Sequence, residues 1–329
     1  MENHPIDPEG SQTQVFLSLK KEELIKQSRQ LISHSQSVNT NKAYRSDFAL
    51  FEKWCREYDY ISLPASEECL GNYISDLVLH DYKANTISRK LSAIRFAHET
   101  AKMEFPFTYS IQQILAGTRR HLGTKQKGKD PITIPMLQEM VHAIDGIDNE
   151  VKKKRDKAIL LIGFMGAFRR SELTGIDLED VTLVEDGLMI ELKKSKTDQL
   201  GESENLAIPY GQFDHTCPVR AYIDWVSAAG IDNGPLFRSI NRHGKISSNR
   251  LSDGAVAEIV KNYAGKCNYD ISKYSGHSLR AGFVTTAAKA GKSEWAIAKQ
   301  SRHKSMTTLR RYIRLGNAFE QNAADDLGL

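Results

Sequence analysis

Apolar residues recur three or four positions apart through most of the chain, the spacing of an amphipathic helix. Tyr44, Phe48, Phe51, Trp54 and Cys55 predict a helix over 40–58, with Asn39 and Thr40 as caps. Leu70, Tyr73, Ile74, Leu77 and Val78 mark a second helix over 66–80, and Ile87, Leu91, Ile94 and Ala97 a third over 85–102. A shorter helix covers 111–121. Ahead of them, residues 1–15 are polar and aperiodic, a flexible arm, and 18–34 read as a first helix that packs apart from the core. The stretch 122–131 holds two glycines and three lysines and ends in Pro131, which makes it the best linker in the sequence.

Beyond the linker the pattern changes. Residues 134–144 are helical, and 152–168 carry Ala158, Ile159, Leu160, Leu161, Ile162, Phe164 and Met165, an apolar run that reads as a buried helix. Two short strands, 187–192 and 205–208, flank the polar stretch 193–204. Helices resume over 218–229, 252–267, 278–290, 293–301 and 305–313. At 329 residues the chain is long enough for two cores, and 40% hydrophobic with 26% charged residues is the balance of an ordinary globular protein. No apolar run approaches the roughly 20 residues that span a bilayer, and the first residues lack the basic and apolar regions of a secretory signal. A cytoplasmic location follows as the expectation. The four cysteines are scattered and read as reduced thiols. A net charge of +4 permits a nucleic-acid partner without requiring one, so where the positive charge sits matters more than its sum.

The polar residues that break the second-domain pattern fall in a telling order. Arg169 and Glu172 follow the buried helix, three apart; alone they make a local salt bridge. Lys193, Lys194 and Lys196 lie on the hairpin turn, where lysines are ordinarily solvated. His277 and Arg280 share a face at the start of a helix, an end that favours anions. His303 precedes a helix whose last turns carry Tyr312 among Arg310, Arg311 and Arg314. A lone tyrosine there is most often a packed aromatic with its hydroxyl bonded. Taken together, the set suits attack on a phosphodiester. Two arginines offer planar charged forks to the non-bridging oxygens. A phenol with a pKa of about 10 needs a base, and His277 supplies one. His303 adds a donor, Lys196 an acid for the leaving oxygen, and Glu172 orients Arg169 or His277. No carboxylate cluster suggests a metal site.

This order of Arg169, Glu172, Lys196, His277, Arg280, His303 and Tyr312 resembles that of the tyrosine recombinases of the phage integrase family, and the layout resembles its Cre-like members, over about 37–316. Among the lysines, Lys196 resembles the family's turn best, within Ser195-Lys196-Thr197. One departure stands out: Ser301-Arg302 occupies the place where the family often has Leu-Gly. The resemblance implies a mainly α fold, a helical N-terminal DNA-binding domain over 37–121 joined by the 122–131 linker to a mostly α catalytic domain over 132–316 with a small antiparallel β-sheet. The arm is then 1–36, and 317–329 a tail able to dock on a neighbouring protomer. It implies a site-specific recombinase that cuts and rejoins strands through a 3′-phosphotyrosyl link, with no metal, ATP or cofactor. The partner is double-stranded DNA with inverted-repeat half-sites, bound by a monomer that dimerises on one site and forms a homotetramer in the synapse, at the nucleoid. Thr40, Asn41, Lys42 and Arg45 on one helix, and Asn85, Thr86, Arg89 and Lys90 on another, lie off the apolar stripe and are free to face a groove. Arg119, Arg120, Lys125 and Lys127 reach phosphates. The rival readings are a type IB topoisomerase-like enzyme, a metal-dependent nuclease, and a binder of the same fold without catalysis.

Overall fold

The computed structural model describes residues 38–123, 128–192, 204–303 and 305–316, together with Lys20, Lys21, Glu23, Leu24, Lys26 and Gln27, which are helical. The rest of the expected arm, the linker lysines Lys125 and Lys127, the hairpin turn with Lys196, and the tail over 317–329 lie outside the described residues. The chain divides into two units, Met1–Gln126 and Lys127–Leu329.

Among the described residues, four helices build the core of the first unit, α1 (Val38–Glu57), α2 (Glu67–Leu79), α3 (Ala84–Thr100) and α4 (Tyr109–Leu122). Their apolar stripes meet in one core of Phe51, Cys55, Leu70, Ile74, Ile87, Ile94 and Ile111. Each such side chain removed from water contributes about 1.5–3 kcal/mol. Ser66 and Thr108 cap α2 and α4 by accepting from Cys69 N and Ile111 N. Trp54 packs beside Phe51 and Tyr73 and donates to Asp76 Oδ2 at 3.1 Å, so its indole nitrogen is satisfied.

The second unit is built round α6 (Glu150–Met165), whose residues from Ala158 to Ile162 are fully enclosed. It packs against α5 (Ile134–Asp145), α8 (Pro218–Ala229), α9 (Asp253–Lys266) and α10 (Gly276–Lys289). Such encirclement explains why the second half of α6, from Ala158 onward, is apolar on every face, while its first half carries Lys152, Lys153 and Lys154. Strands β1 (Val181–Val184), β2 (Gly187–Leu192) and β3 (Glu204–Pro209) form an antiparallel sheet in that order, with Leu188 opposite Ile208 and Ile190 opposite Leu206. A separate hairpin pairs β4 (Arg238–Ile240) with β5 (Ile246–Arg250). The last helices are α11 (Glu294–Ser301) and α12 (Met306–Gly316).

Two glycines allow close approaches within the second unit. Gly282 lets the backbone of Ile132 lie against α10: a Cβ there would sit 2.1 Å from Ile132 O. Gly276 gives the same room to the Arg170 side chain, 2.5 Å from where a Cβ would stand. The second approach brings the start of α10 close to the residues that follow α6. The turn after α6 is the main departure from expectation in this region. α6 ends at Met165 rather than 168, because Ala167 turns into the left-handed region at φ 46° and starts a short helix, α7 (Arg170–Gly175). Arg250 on β5 locks α7 in place by donating to Thr174 O at 2.6 Å and Ile176 O at 3.2 Å.

Candidate active site

Arg169 is the N-cap of α7, and Glu172 is the third helical residue after it. The carboxylate turns back on the cap. Its Oε2 accepts from Arg169 N at 2.9 Å, and its Oε1 accepts from Arg169 Nη1. Glu172 is buried, and on its other side Arg302 Nη2 donates to Oε2 at 3.0 Å. Burial pushes this carboxyl up. Arg302, then the Arg169 backbone and guanidinium, outweigh that and hold it below the ordinary range. The expected Arg169–Glu172 pair is therefore real, and it is a buried three-residue arrangement rather than a solvated surface bridge. Removing one partner from such a pair costs about 3–5 kcal/mol.

α10 delivers the next two groups. Ser275 caps it, accepting from His277 N at 3.3 Å, while Ser278 Oγ accepts from Ser275 N at 3.1 Å. His277 stands in the first turn at the mouth of the site, and Arg280 one turn deeper, 2% exposed. Arg280 Nη1 donates to Ala167 O at 2.8 Å, which aims the rest of the fork outward. Burial and the charge of Arg169 lower its pKa to about 9, where the guanidinium still keeps its proton at neutral pH.

His303 follows the αL cap of α11, and its Nδ1 lies 3.4 Å from Arg280 Nη2 and 2.6 Å from Ser301 Oγ. An arginine can only donate. Nδ1 must therefore accept, and the neutral ring carries its proton on Nε2, ready to donate to a substrate oxygen. Burial first, then Arg280, Arg169 and His277, push this imidazole down to about 3, so it stays neutral.

α12 is held by Leu309, which packs with Val284, Ala288 and Ile297. That anchoring brings Tyr312 across the site, with its Oη 2.9 Å from His277 Nε2. The Tyr312 ring lies 6.2 Å from the His277 ring and 6.3 Å from the His303 ring, centroid to centroid. Of the arginines expected round it, Arg310 turns away to Glu294 at 3.1 Å. Six of the seven expected catalytic residues are thus brought together in one cluster, and Lys196 lies outside the described residues. What the sequence reading missed is Arg302, signalled only as the residue replacing a glycine.

In the first unit, Lys42, Thr86, Arg89 and Lys90 line one open cleft of about 470 Å³, with Asp47 at its base. Lys42, Arg45, Asn85, Arg119 and Arg120 are exposed, and Thr40, Asn41 and Thr86 partly so. Lys90 corrects the expectation of a free, groove-facing side chain. It is 3% exposed, with Nζ 3.3 Å from Asp47 Oδ1, because it stands three residues after Ile87 and four before Ile94, on the inward face. Arg89 stays half exposed, with Nη1 2.9 Å from Asp47 Oδ2.

Known proteins match most of the chain. The phage integrase family model matches residues 132–318, and the phage integrase N-terminal SAM-like domain matches 28–104. An integrase/recombinase xerD homolog from Selenomonas ruminantium is 40% identical over 306 residues, 92% of this chain and 89% of its own. The tyrosine recombinase XerC of Thermodesulfovibrio yellowstonii is 27% identical, over 85% of this chain and 87% of its own. Among solved structures, the Tn1549 transposon integrase in complex with circular intermediate DNA aligns with a TM-score of 0.59 at 18% identity, over 87% of this chain and 92% of that one. At that identity the likeness is one of fold.

Proposed function

The chain belongs to the phage integrase family and is a site-specific tyrosine recombinase acting on DNA, and from that premise we propose how its residues divide the work. The observation that carries the proposal is the 2.9 Å contact between Tyr312 Oη and His277 Nε2, set beside Arg280 and Arg169. Tyr312 Oη attacks the scissile phosphorus. A new P–O bond forms to the tyrosine as the bond from phosphorus to the 5′ oxygen breaks. The phenolic proton passes to His277 Nε2, and the departing 5′ oxygen takes a proton from Lys196. Arg169, Arg280 and the Nε2–H of His303 bind the non-bridging oxygens, whose negative charge grows in the pentavalent transition state. Glu172 holds Arg169. The product is a 3′-phosphotyrosyl link and a free 5′ hydroxyl. The partner strand's hydroxyl reverses the sequence, so one P–O bond forms for each that breaks and no nucleotide is consumed.

His277 serves as a base only while neutral. Partial burial, then Arg280, Arg169 and Arg170, hold its pKa below the ordinary value of 6.5. Single-turnover cleavage is therefore expected to stay level from about pH 8 down through about 6.5, and to decline only in more acid solution. A rate already halved at or above the ordinary imidazole pKa contradicts this role.

The first unit is the module we assign to the core of the recognition site. The cleft with Lys42, Thr86 and Arg89, and the exposed Arg45 and Asn85, supply polar and cationic groups for a groove. Arg119 and Arg120 suit phosphates. Lys90 serves from beneath, by fixing Asp47. On this reading the DNA carries inverted half-sites, each bound by one protomer, four protomers form the synapse at the nucleoid, and the 317–329 tail docks on a neighbour. The test is a selection. Tyr312→Phe protein is incubated with random duplexes, and the enriched DNA is expected to be an inverted repeat. Wild-type protein on a nicked suicide duplex of that sequence is expected to form a covalent adduct in the presence of a chelator. Tight binding without an adduct would leave a DNA-binding protein and no enzyme.

A further inference from the structure

Arg302 is a buried cation that the chemistry above does not use. It sits in the left-handed region at φ 55°, ψ 45°, a conformation for which glycine is the undemanding choice. Its side chain runs back into the core and stacks over the Phe168 ring, 4.9 Å from guanidinium carbon to ring centroid. Nη1 donates to Gly166 O at 3.0 Å and Gln300 O at 2.8 Å; Nη2 donates to Ala167 O at 3.1 Å and Glu172 Oε2 at 3.0 Å.

Two of those acceptors have a second donor. Ala167 O also receives Arg280 Nη1, and Glu172 Oε2 also receives the backbone N–H of Arg169. Arg302 thus bonds to the carbonyl that holds the Arg280 guanidinium and to the carboxylate whose Oε2 takes the Arg169 backbone and whose Oε1 takes the Arg169 guanidinium. A residue needed only to end α11 could do so as glycine, with no buried charge to neutralise. A residue needed only to pack on Phe168 could be apolar. Neither alternative accounts for a guanidinium that spans Ala167 O and Glu172 Oε2 at once.

We propose that Arg302 is a positioning residue of the recombination site, one that sets Arg169 through Glu172 and Arg280 through the Ala167 carbonyl without touching the DNA. This deepens the reading of Arg169 and Arg280 as the phosphate grip and rests on it. Remote groups that orient contacting ones are worth about 10- to 100-fold in activity. Arg302→Met is therefore expected to slow cleavage by about that factor while leaving DNA affinity within about threefold.

The test uses the full chain and the suicide duplex selected by Tyr312→Phe protein. A second duplex carries a methylphosphonate at the scissile position. There a methyl group replaces one non-bridging oxygen and removes the charge that the arginines grip. Arg302→Met is expected to cleave the phosphate duplex slowly and to regain most of the deficit on the methylphosphonate, and Arg280→Ala, which removes a gripping arginine directly, is expected to do the same. A general loosening of the fold would slow both duplexes alike. Because a half-paired Glu172 could unfold the single variant, Arg302→Met/Glu172→Gln is measured as well. It leaves no buried carboxylate short of a partner and is expected to show the same phosphate-selective loss, no larger than the greater of its two single changes. Equal losses on both duplexes for the Arg302 variants, beside a rescued Arg280→Ala, would overturn the proposal. An Arg280→Ala protein that the methylphosphonate fails to rescue would overturn the phosphate-grip reading itself, and the proposal with it.

Discussion

Tyr312→Phe protein is expected to bind its DNA site and never to cut it. The substitution deletes one oxygen and keeps the ring. Packing with Leu309 and Ile313 therefore survives, and α12 stays where Val284, Ala288 and Ile297 hold it. The folded state loses the hydrogen bond to His277 Nε2, worth about 1 kcal/mol. The reaction loses its nucleophile. Water held in place of the phenol is a poor substitute, and deletion of a covalent nucleophile costs on the order of 10⁴-fold or more. Denaturing gels after incubation with the suicide duplex check both halves: a shifted protein–DNA band for wild type, none for the variant. Gel-shift affinities should agree within about threefold, since sequence-independent phosphate contacts supply most of the binding. An adduct formed by the Phe variant would move the nucleophile elsewhere in the chain.

Arg280→Lys is the second large effect, although charge is conserved. Arg280 uses Nη1 to hold Ala167 O at 2.8 Å and directs Nη2 towards His303 Nδ1 at 3.4 Å. A lysine ammonium is a single point on a flexible stem and cannot occupy both places. If it takes Ala167 O, the phosphate loses its fork, and if it takes the phosphate, the carbonyl loses its donor. The proton on His303 also loses the arginine contact that helps keep it on Nε2. Losing one such preorganised donor costs about 10²–10³ in rate. Single-turnover cleavage on the suicide duplex should show a drop of that size with DNA affinity almost unchanged. A drop under about fivefold would mean that Arg280 serves the fold and another group grips the phosphate.

The sequence announced the site better than it announced what holds the site together. His277, Arg280, His303 and Tyr312 were legible because each is a polar side chain beside or within a helix whose period was clear, and because their order resembles a known family. Glu172 was legible only as the acid next to Arg169. Its second partner lies 130 positions away in sequence, a contact that local pattern cannot express. Arg302 was for the same reason visible as a departure and not as a participant. Lys90 shows the converse failure. Its chemistry suggested a DNA contact, yet its spacing from Ile87 and Ile94 already pointed it inward to Asp47. The mainly helical fold was readable from apolar spacing, but β1, β4, β5 and α7 were not. Those elements run from three to six residues, too short for a period to repeat, and β1 exposes Leu183 and Val184. The early end of α6 depends on Ala167 entering a region alanine seldom visits. Two guanidiniums on the Ala167 carbonyl hold it there, and they come from α10 and the end of α11.

The central claim is a covalent bond at one atom, and mass spectrometry of the trapped adduct tests it most directly. Trypsin cuts after Arg311 and Arg314, so Tyr312 leaves on the peptide Tyr312-Ile313-Arg314. After nuclease trimming of the suicide complex, that peptide should carry a nucleotide joined to Tyr312 through its 3′ phosphate. A nucleotide on any other residue, or one joined through a 5′ phosphate, would contradict the mechanism.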